Sequence, residues 1–474
     1  LKKIAFAALL ACACTTIVSE EVFQQGAHLG ACGDDASADA TVDSSDDVSA
    51  EAEAGDDVTA EAEASFDAGP DVATCDAATP TPPTGTSNAW VAVTLPSYAT
   101  GDSCQSIVVD PVNPGTLVTA CGNNDGRAIK WYRSTDYGAT WALVYSGAMH
   151  GNPWGFTGDP NPSRDPCSAL TIYSPAGYGS YGAWKSTDTG STWTRLTGAD
   201  TAFSPVNPYG ATDLYELYVL PDNPPNHVLA TYHYAFKNVS DGGIGESTDG
   251  GATWTIHNPA AGMGTSHYVM ASGASTWMVI AQDNNGANGI WRTTTAGRVG
   301  GAVSPSAWTQ VARNGDGGIG TNAEHAHGSF TPLSLGDAGW YAPAWRTIVR
   351  SPDQGATWSD LFPGDSWAHP PNPPFRGSQT TGLTATRSFA YSNYFLGSGG
   401  TDRGNARAAV ANVNAASAWY QANVDAGAGS WFTSIPSGMN SHGANPLGMA
   451  ATCAPGGACV VLQATDTGVY RMVE

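Results

Sequence analysis

Apolar and polar positions along residues 87–474 alternate in short runs broken by turns. Trp141-Ala142-Leu143-Val144-Tyr145 alternates large and small side chains as a strand does, and Trp90-Val91-Ala92-Val93 and Trp308-Thr309-Gln310-Val311 read as short strands of the same kind. Aromatic or apolar stretches such as Ile129-Lys130-Trp131-Tyr132 lie just upstream of them. Residues 33–76 have no apolar period. There DDVSAEAEA at 46–54 returns as DDVTAEAEA at 56–64. Like charges repel and no apolar surface offsets the entropy of ordering, so the segment reads as a disordered, extended tether. Pro80, Pro82 and Pro83 end it.

The turns between strands repeat. Ser134-Thr135-Asp136-Tyr137-Gly138-Ala139-Thr140-Trp141 recurs as S-x-D-x-G-x-T-W at 186–193, 247–254 and 351–358. Its chemistry is that of a hairpin turn. Ser and Asp oxygens accept backbone N–H groups, Gly supplies a positive φ, and Trp opens the next strand. The motif needs no substrate. Three more tryptophans fit degenerate copies: Trp90, Trp308 and Trp431, the last after Asn423-Val424-Asp425-Ala426-Gly427. The seven positions 90, 141, 193, 254, 308, 358 and 431 are spaced by 51, 52, 61, 54, 50 and 73 residues. A period near 50 with four strands is one propeller blade.

The motif resembles the Asp-box, or BNR repeat, of sialidase-like and sortilin-like β-propellers. The D-P-x-N-P turns of that superfamily have counterparts at Asp110–Pro114 and Asp159–Pro162, with a relic at Pro221–Pro224. The resemblance covers roughly residues 87–474 and implies an all-β, seven-bladed propeller. Trp90 opens a fourth strand with no preceding three, and the C-terminal segment supplies three strands with no fourth. The N-terminal strand is therefore expected to complete the last blade and close the ring. True sialidases carry an F-R-I-P segment and a three-Arg clamp. Neither is marked here, which argues against sialidase activity.

Composition changes the picture mainly at the N-terminus. The net charge is −23, with 57 glycines and 30 prolines, so long helices are not expected. Residues 1–76 hold 17 acids and two lysines, and the remainder 25 acids and 17 bases. That balance excludes a nucleic-acid partner, which needs clustered Lys and Arg. No apolar run reaches the ~18–20 residues of a membrane-spanning helix. Leu1-Lys2-Lys3 and Ile4–Leu10 read as an export signal. Cys12 after Leu9-Leu10-Ala11 and Cys32 after Leu29-Gly30-Ala31 both resemble lipidated lipoprotein cysteines. Three regions are thus expected: a signal region at 1–32, a tether at 33–86, and a propeller at 87–474. The whole reads as an exported monomer, secreted or held at a surface by a lipid anchor.

Cys104 and Cys121 flank the Pro111–Pro114 turn symmetrically, and Cys453 and Cys459 flank residues 454–458 in the same way. Both pairs are expected to be cross-strand disulfides. Cys75 and Cys167 remain, as candidates to pair with each other. No C-x-x-C occurs, so a zinc-thiolate site is not expected.

In the propellers this chain resembles, ligands bind on the face opposite the Asp-box turns, which carries the loops from strand 4 to strand 1 and from strand 2 to strand 3. Sorted by the repeat, only His227 of nine histidines after residue 33 falls on the Asp-box face. His150, His233, His257, His267, His325, His327, His369 and His442 fall on or beside the other. Glu324-His325-Ala326-His327 is the densest piece, and an H-x-H pair on an extended segment suits a divalent metal. His267, His325, His327 and His442 are the candidate metal ligands. Asp213, Glu216, Asp316, Glu324 and Asp365 are the acids of that face. Glu324 and Asp213 are the candidate acid/base pair. His150, Trp367, His369 and Arg376 are candidate ligand contacts, and Trp154, Tyr209 and Tyr215 are further stacking candidates. Asp283–Asn288 resembles a calcium loop without its terminal Glu. Gly315–Gly320 fits G-x-G-x-x-G without the strand-turn-helix setting a dinucleotide needs.

Two functions fit this pattern. One is an extracellular glycoside hydrolase or metal-assisted polysaccharide lyase. The other is a non-catalytic propeller that binds a glycan or a surface protein.

Overall fold

The computed structural model describes residues 82–474 apart from 124–126, 152, 154, 176–181, 204–213, 222–224, 233–243, 258–265, 283–287, 314–332, 336–338, 345–346, 362–377, 397–402, 415–419 and 424–445. Its strands form seven four-stranded antiparallel sheets and one two-stranded hairpin. Six blades follow one another along the chain. Blade 1 runs Ser103–Val109, Leu117–Gly122, Ala128–Ser134 and Ala142–His150. Blades 2 to 6 open with Thr157–Gly158, Leu214–Val219, Ser266–Ala271, Leu333–Ser334 and Ser378–Ala385. Blade 7 takes Pro446–Cys453, Cys459–Thr465 and Gly468–Val473 from the C-terminus and Trp90–Ala92 from the N-terminal side.

That last pairing is the closure expected from the sequence. Trp90 faces Met472, Val91 faces Arg471 and Ala92 faces Tyr470. Asn88 N–H donates to Val473 O at 2.7 Å. Buried Arg471 donates from Nη1 to Thr84 O at 3.0 Å and from Nε to Tyr137 O at 2.8 Å, tying the entering segment to blade 1.

The four complete S-x-D-x-G-x-T-W turns share one bonding scheme. In the first, Gly138 N–H donates to Ser134 Oγ at 2.9 Å and Thr140 N–H to Asp136 Oδ1 at 2.9 Å. Trp141 Nε1 donates to Gly138 O at 3.1 Å. The residue before each glycine is left-handed too: Tyr137 at φ 58°, Thr189 at 58°, Gly250 at 73° and Gln354 at 54°. Blade 4 keeps the backbone with different chemistry. Gly297 N–H donates to Thr293 Oγ1 at 3.0 Å, and a hairpin of Arg298–Val299 and Ala302–Val303 is inserted before Trp308.

Among the described residues the buried apolar side chains form seven clusters, one at each junction between blades. Trp141 packs with Leu462 and Val460 of blade 7, Trp193 with Val118 and Trp131 of blade 1, and Trp308 with Leu229 and Ile244 of blade 3. Trp358 packs with Met278 and Ile280 of blade 4. Each box tryptophan thus packs onto the preceding blade, and a blade buries its faces only because it has neighbours.

Both expected disulfides are present, Cys104–Cys121 and Cys453–Cys459. Cys167 is disulfide-bonded as well, while Cys75 lies outside the described residues. The one α-helix among the described residues is Thr197–Phe203. No described helix is long and apolar enough to cross a membrane.

One expectation fails. Trp431 does not open the fourth strand of blade 6, which is Tyr420–Asn423 and follows Trp419 directly in sequence. The Asp425-Ala426-Gly427 match falls beyond that strand. Blade 6 replaces the box with a 3-10 turn at Val410–Asn412, so no motif marks its third connection. The signal region and most of the tether lie outside the described residues.

Candidate functional site

The loops expected to carry the site fall largely in the undescribed stretches. Glu324, Asp213, Trp367, His369, Arg376, His325, His327 and His442 lie outside the described residues, as do His233, Asp316 and Asp365. His267 is placed by its backbone at a bulge between Ser266 and Tyr268, in the first strand of blade 4. His150 is the exposed last residue of blade 1, in register with Ala128.

On the described part of that rim, beside His150, a polar constellation appears that sequence reasoning missed. Asp102 stands just before the first strand of blade 1 and is 1% exposed. Lys130 Nζ lies 2.8 Å from its Oδ2 and Arg127 Nη1 3.2 Å from its Oδ1. Asn123 Nδ2 donates to Gly101 O at 2.7 Å, and Tyr98 Oη to Asp102 O at 2.5 Å. Gly151 N–H, next to His150, donates to Arg127 O at 3.2 Å. Burial, then the Asp102 charge, pushes the phenols of Tyr98 and Tyr132 well above their ordinary range. The arrangement holds a carboxylate and two cations at one rim. The available signal was that Lys130 is one of only five lysines in the chain.

Two expected residues of that face sit elsewhere. His257 is not a loop residue but the last residue of a strand, paired with Ile244 and fully buried at the junction of blades 3 and 4. Its Nε2 is 2.8 Å from Glu246 Oε2, and His227 Nε2 is 2.9 Å from Glu246 Oε1. A carboxylate only accepts, so both Nε2 atoms carry hydrogen. Arg298 of the inserted hairpin adds a bond from Nη1 to Oε1 at 3.2 Å and a second from Nη2 to Oε2. Burial opposes the Glu246 charge, but these bonds outweigh it and hold the carboxyl well below its usual range.

Glu216 is the second. It does not stand on the loop rim but in the first strand of blade 3, just after a bulge, and it lines an axial cavity of about 320 Å³. First strands of six blades form the wall: Val108, Thr157, Leu333, Leu383 and Met449 beside Glu216 and Tyr218, with Phe156 just ahead of the blade 2 strand. Pro111 and Pro160 of the D-P-x-N-P turns line it as well. Glu216 Oε2 accepts Val269 N–H at 2.9 Å. Burial raises its carboxyl well above the usual range and pushes the Tyr218 phenol up to about 12. Asp159, also in the wall, is raised by burial despite Arg164 nearby. Arg164 is engaged with Asp110, 2.6 Å from Nη2 to Oδ1. A sign of this placement was in the sequence, since Leu214-Tyr215-Glu216-Leu217-Tyr218-Val219-Leu220 sets one acid inside an apolar run.

Among the described residues no group of three or more His, Cys, Asp or Glu could hold a metal ion. The expected ligands other than His267 lie outside them, so the metal expectation stands as a proposal.

The molecule is thus a seven-bladed propeller of four-stranded blades with a largely apolar axial cavity into whose wall Glu216 and Asp159 are set. No protein-family model matches the chain. A xyloglucanase of a Paenibacillus species is 28% identical over 308 residues, covering 58% of this chain and 28% of that protein. Xyloglucanase Xgh74A of Acetivibrio thermocellus is 27% identical over 281 residues, covering 54% of this chain and 32% of its own length. The chain therefore spans about a third or less of the curated relatives it matches. Among solved structures, the GH74 xyloglucanase of Xanthomonas campestris has a TM-score of 0.49 at 16% identity, over 81% of this chain and 53% of that one. YCF48 of Cyanidioschyzon merolae has a TM-score of 0.45 at 13% identity, over 81% of this chain and 98% of that one. Neither structural likeness bears on function.

Proposed function

We propose that this protein is an exported propeller of the Asp-box kind that acts on a xyloglucan-type plant polysaccharide through the face opposite its S-x-D-x-G-x-T-W turns. The observation that carries this reading is the 28% identity over 308 residues to a xyloglucanase. The Asp102, Arg127 and Lys130 constellation and His150 belong to that face and would hydrogen-bond sugar hydroxyls. Glu324 and Asp213 are the proposed acid and base, with Trp367, His369 and Arg376 holding the chain. His267, His325, His327 and His442 are the proposed ligands of a divalent metal if the reaction is a lyase elimination. The export signal, the acidic tether and a lipidated cysteine would place the ring at or beyond the cell surface.

A second reading is a glycan- or protein-binding propeller without turnover. It is favoured by the match covering only 28% and 32% of the two xyloglucanases. Incubation with xyloglucan, read as new reducing ends and by affinity electrophoresis in the same polymer, separates the two. Turnover lost in Glu324→Gln and Asp213→Asn supports the hydrolase. Retardation without turnover supports the binding propeller, and neither effect overturns both readings.

A further inference from the structure

The axial cavity is not part of the loop face. The turn prolines Pro111 and Pro160 line it, which puts it toward the other end of the channel. Its walls are mostly apolar, with Val108, Phe156, Leu383 and Met449 contributed by four different blades. Into this wall is set Glu216, 4% exposed. One carboxyl oxygen is fixed by Val269 N–H, and no lysine or arginine among the described residues pairs with the group. Burying an unpaired carboxyl is costly, and a wall that needed only to be filled would be better served by an apolar residue. Burial raises the pKa of the acid and so favours its neutral form, while the Val269 N–H bond opposes this. A neutral carboxyl both donates an O–H and accepts, and it does not select for cations. A cavity of this size is at the lower end of ligand pockets. Apolar walls with a few hydrogen-bonding groups suit a ring-sized neutral molecule that has C–H faces and hydroxyl edges.

We propose that the axial cavity binds a single neutral pyranose sugar, with Glu216 as its hydrogen-bonding anchor. The choice of a sugar over other neutral ligands rests on the carbohydrate reading above. The site itself is independent of the loop face.

Calorimetric titration of the full chain with D-xylose, D-glucose and D-galactose tests this, with inositol and potassium chloride as controls. At least one sugar is expected to bind. Glu216→Gln, which keeps a neutral hydrogen-bonding group, should hold affinity within about threefold. Glu216→Leu should weaken it by at least about tenfold with the thermal midpoint kept. Ala451→Leu, which adds bulk to the wall from blade 7 and leaves Glu216 unchanged, should weaken it similarly. No sugar binding in the wild type overturns the proposal. So does unchanged affinity in both Glu216→Leu and Ala451→Leu. Binding of potassium that Glu216→Gln abolishes would show a cation site and overturn it as well. Glu216-dependent sugar binding in a protein that neither binds nor cuts xyloglucan supports this inference while the reading above falls. Xyloglucan turnover without small-sugar binding does the reverse.

Discussion

In the turn at Ser351–Trp358, Gln354 and Gly355 are both left-handed, at φ 54° and 83°. Only one of them is a glycine. A Cβ on Gly355 would run into Met278 of blade 4, whereas Gln354 is exposed. Gly355→Ala is therefore expected to cost about 1–3 kcal/mol, from the left-handed backbone and the overpacked junction together. Gln354→Gly should be neutral or stabilising by up to about 1 kcal/mol. Thermal unfolding of the two variants checks both signs. The glycine is legible in the motif. The left-handed residue before it is not, because Tyr137, Thr189 and Gln354 share no side-chain chemistry that would announce the conformation.

The inserted hairpin of blade 4 shows an element held by charge rather than by apolar area. Val299 at its tip is 54% exposed, and its anchor is Arg298 on Glu246. The folded-state pKa of Glu246 is depressed, so its contribution is present above the ordinary glutamate range. It is lost as the pH falls below that range toward the folded value. Glu246→Gln is expected to destabilise the protein at pH 7 by about 3 kcal/mol, as in breaking a buried pair. It should also flatten the acid limb of the stability profile, measured by denaturant unfolding between about pH 2 and 7. An acid limb as steep in the variant as in the wild type would remove Glu246 from this role. The repeat puts His257 on or beside the loop face because it counts positions from the motif tryptophan. Only strand pairing shows that the residue stands diagonally across from Glu246, opposite Ile244 on the adjacent strand.

For the whole molecule, stability rests on closure. The ring has seven apolar junctions, and the one between blades 6 and 7 includes Trp90 from the closing strand. A chain starting at residue 82 keeps the Thr84–Arg471 contact and the whole closing strand. A chain starting at residue 97 loses both and exposes the edge of Gly468–Val473. The shorter chain is expected to melt lower and to aggregate. Differential scanning calorimetry with light scattering checks this, and equal behaviour of the two chains would remove closure as the source of stability.

The sequence by itself determined the propeller, its blade period, the closing strand and the two hairpin disulfides. These follow from local turn chemistry and a two-residue period, repeated often enough that one blade explains the next. It could not place the blade 6 connection, where the motif has decayed and the match at Trp431 lies beyond the fourth strand, Tyr420–Asn423. Tertiary structure decided how the buried acids are paired, although the apolar run around Glu216 already hinted at its burial. Glu216 and Glu246 are single carboxylates in short strands; burial moves the first carboxyl up, whereas His227, His257 and Arg298 bring the second down. Neither partner set is adjacent in sequence: Val269 lies 53 residues from Glu216, and His257, His227 and Arg298 lie 11, 19 and 52 from Glu246. The electrostatics of such a site come from other strands of its own blade and from the next blade, and no local pattern records them.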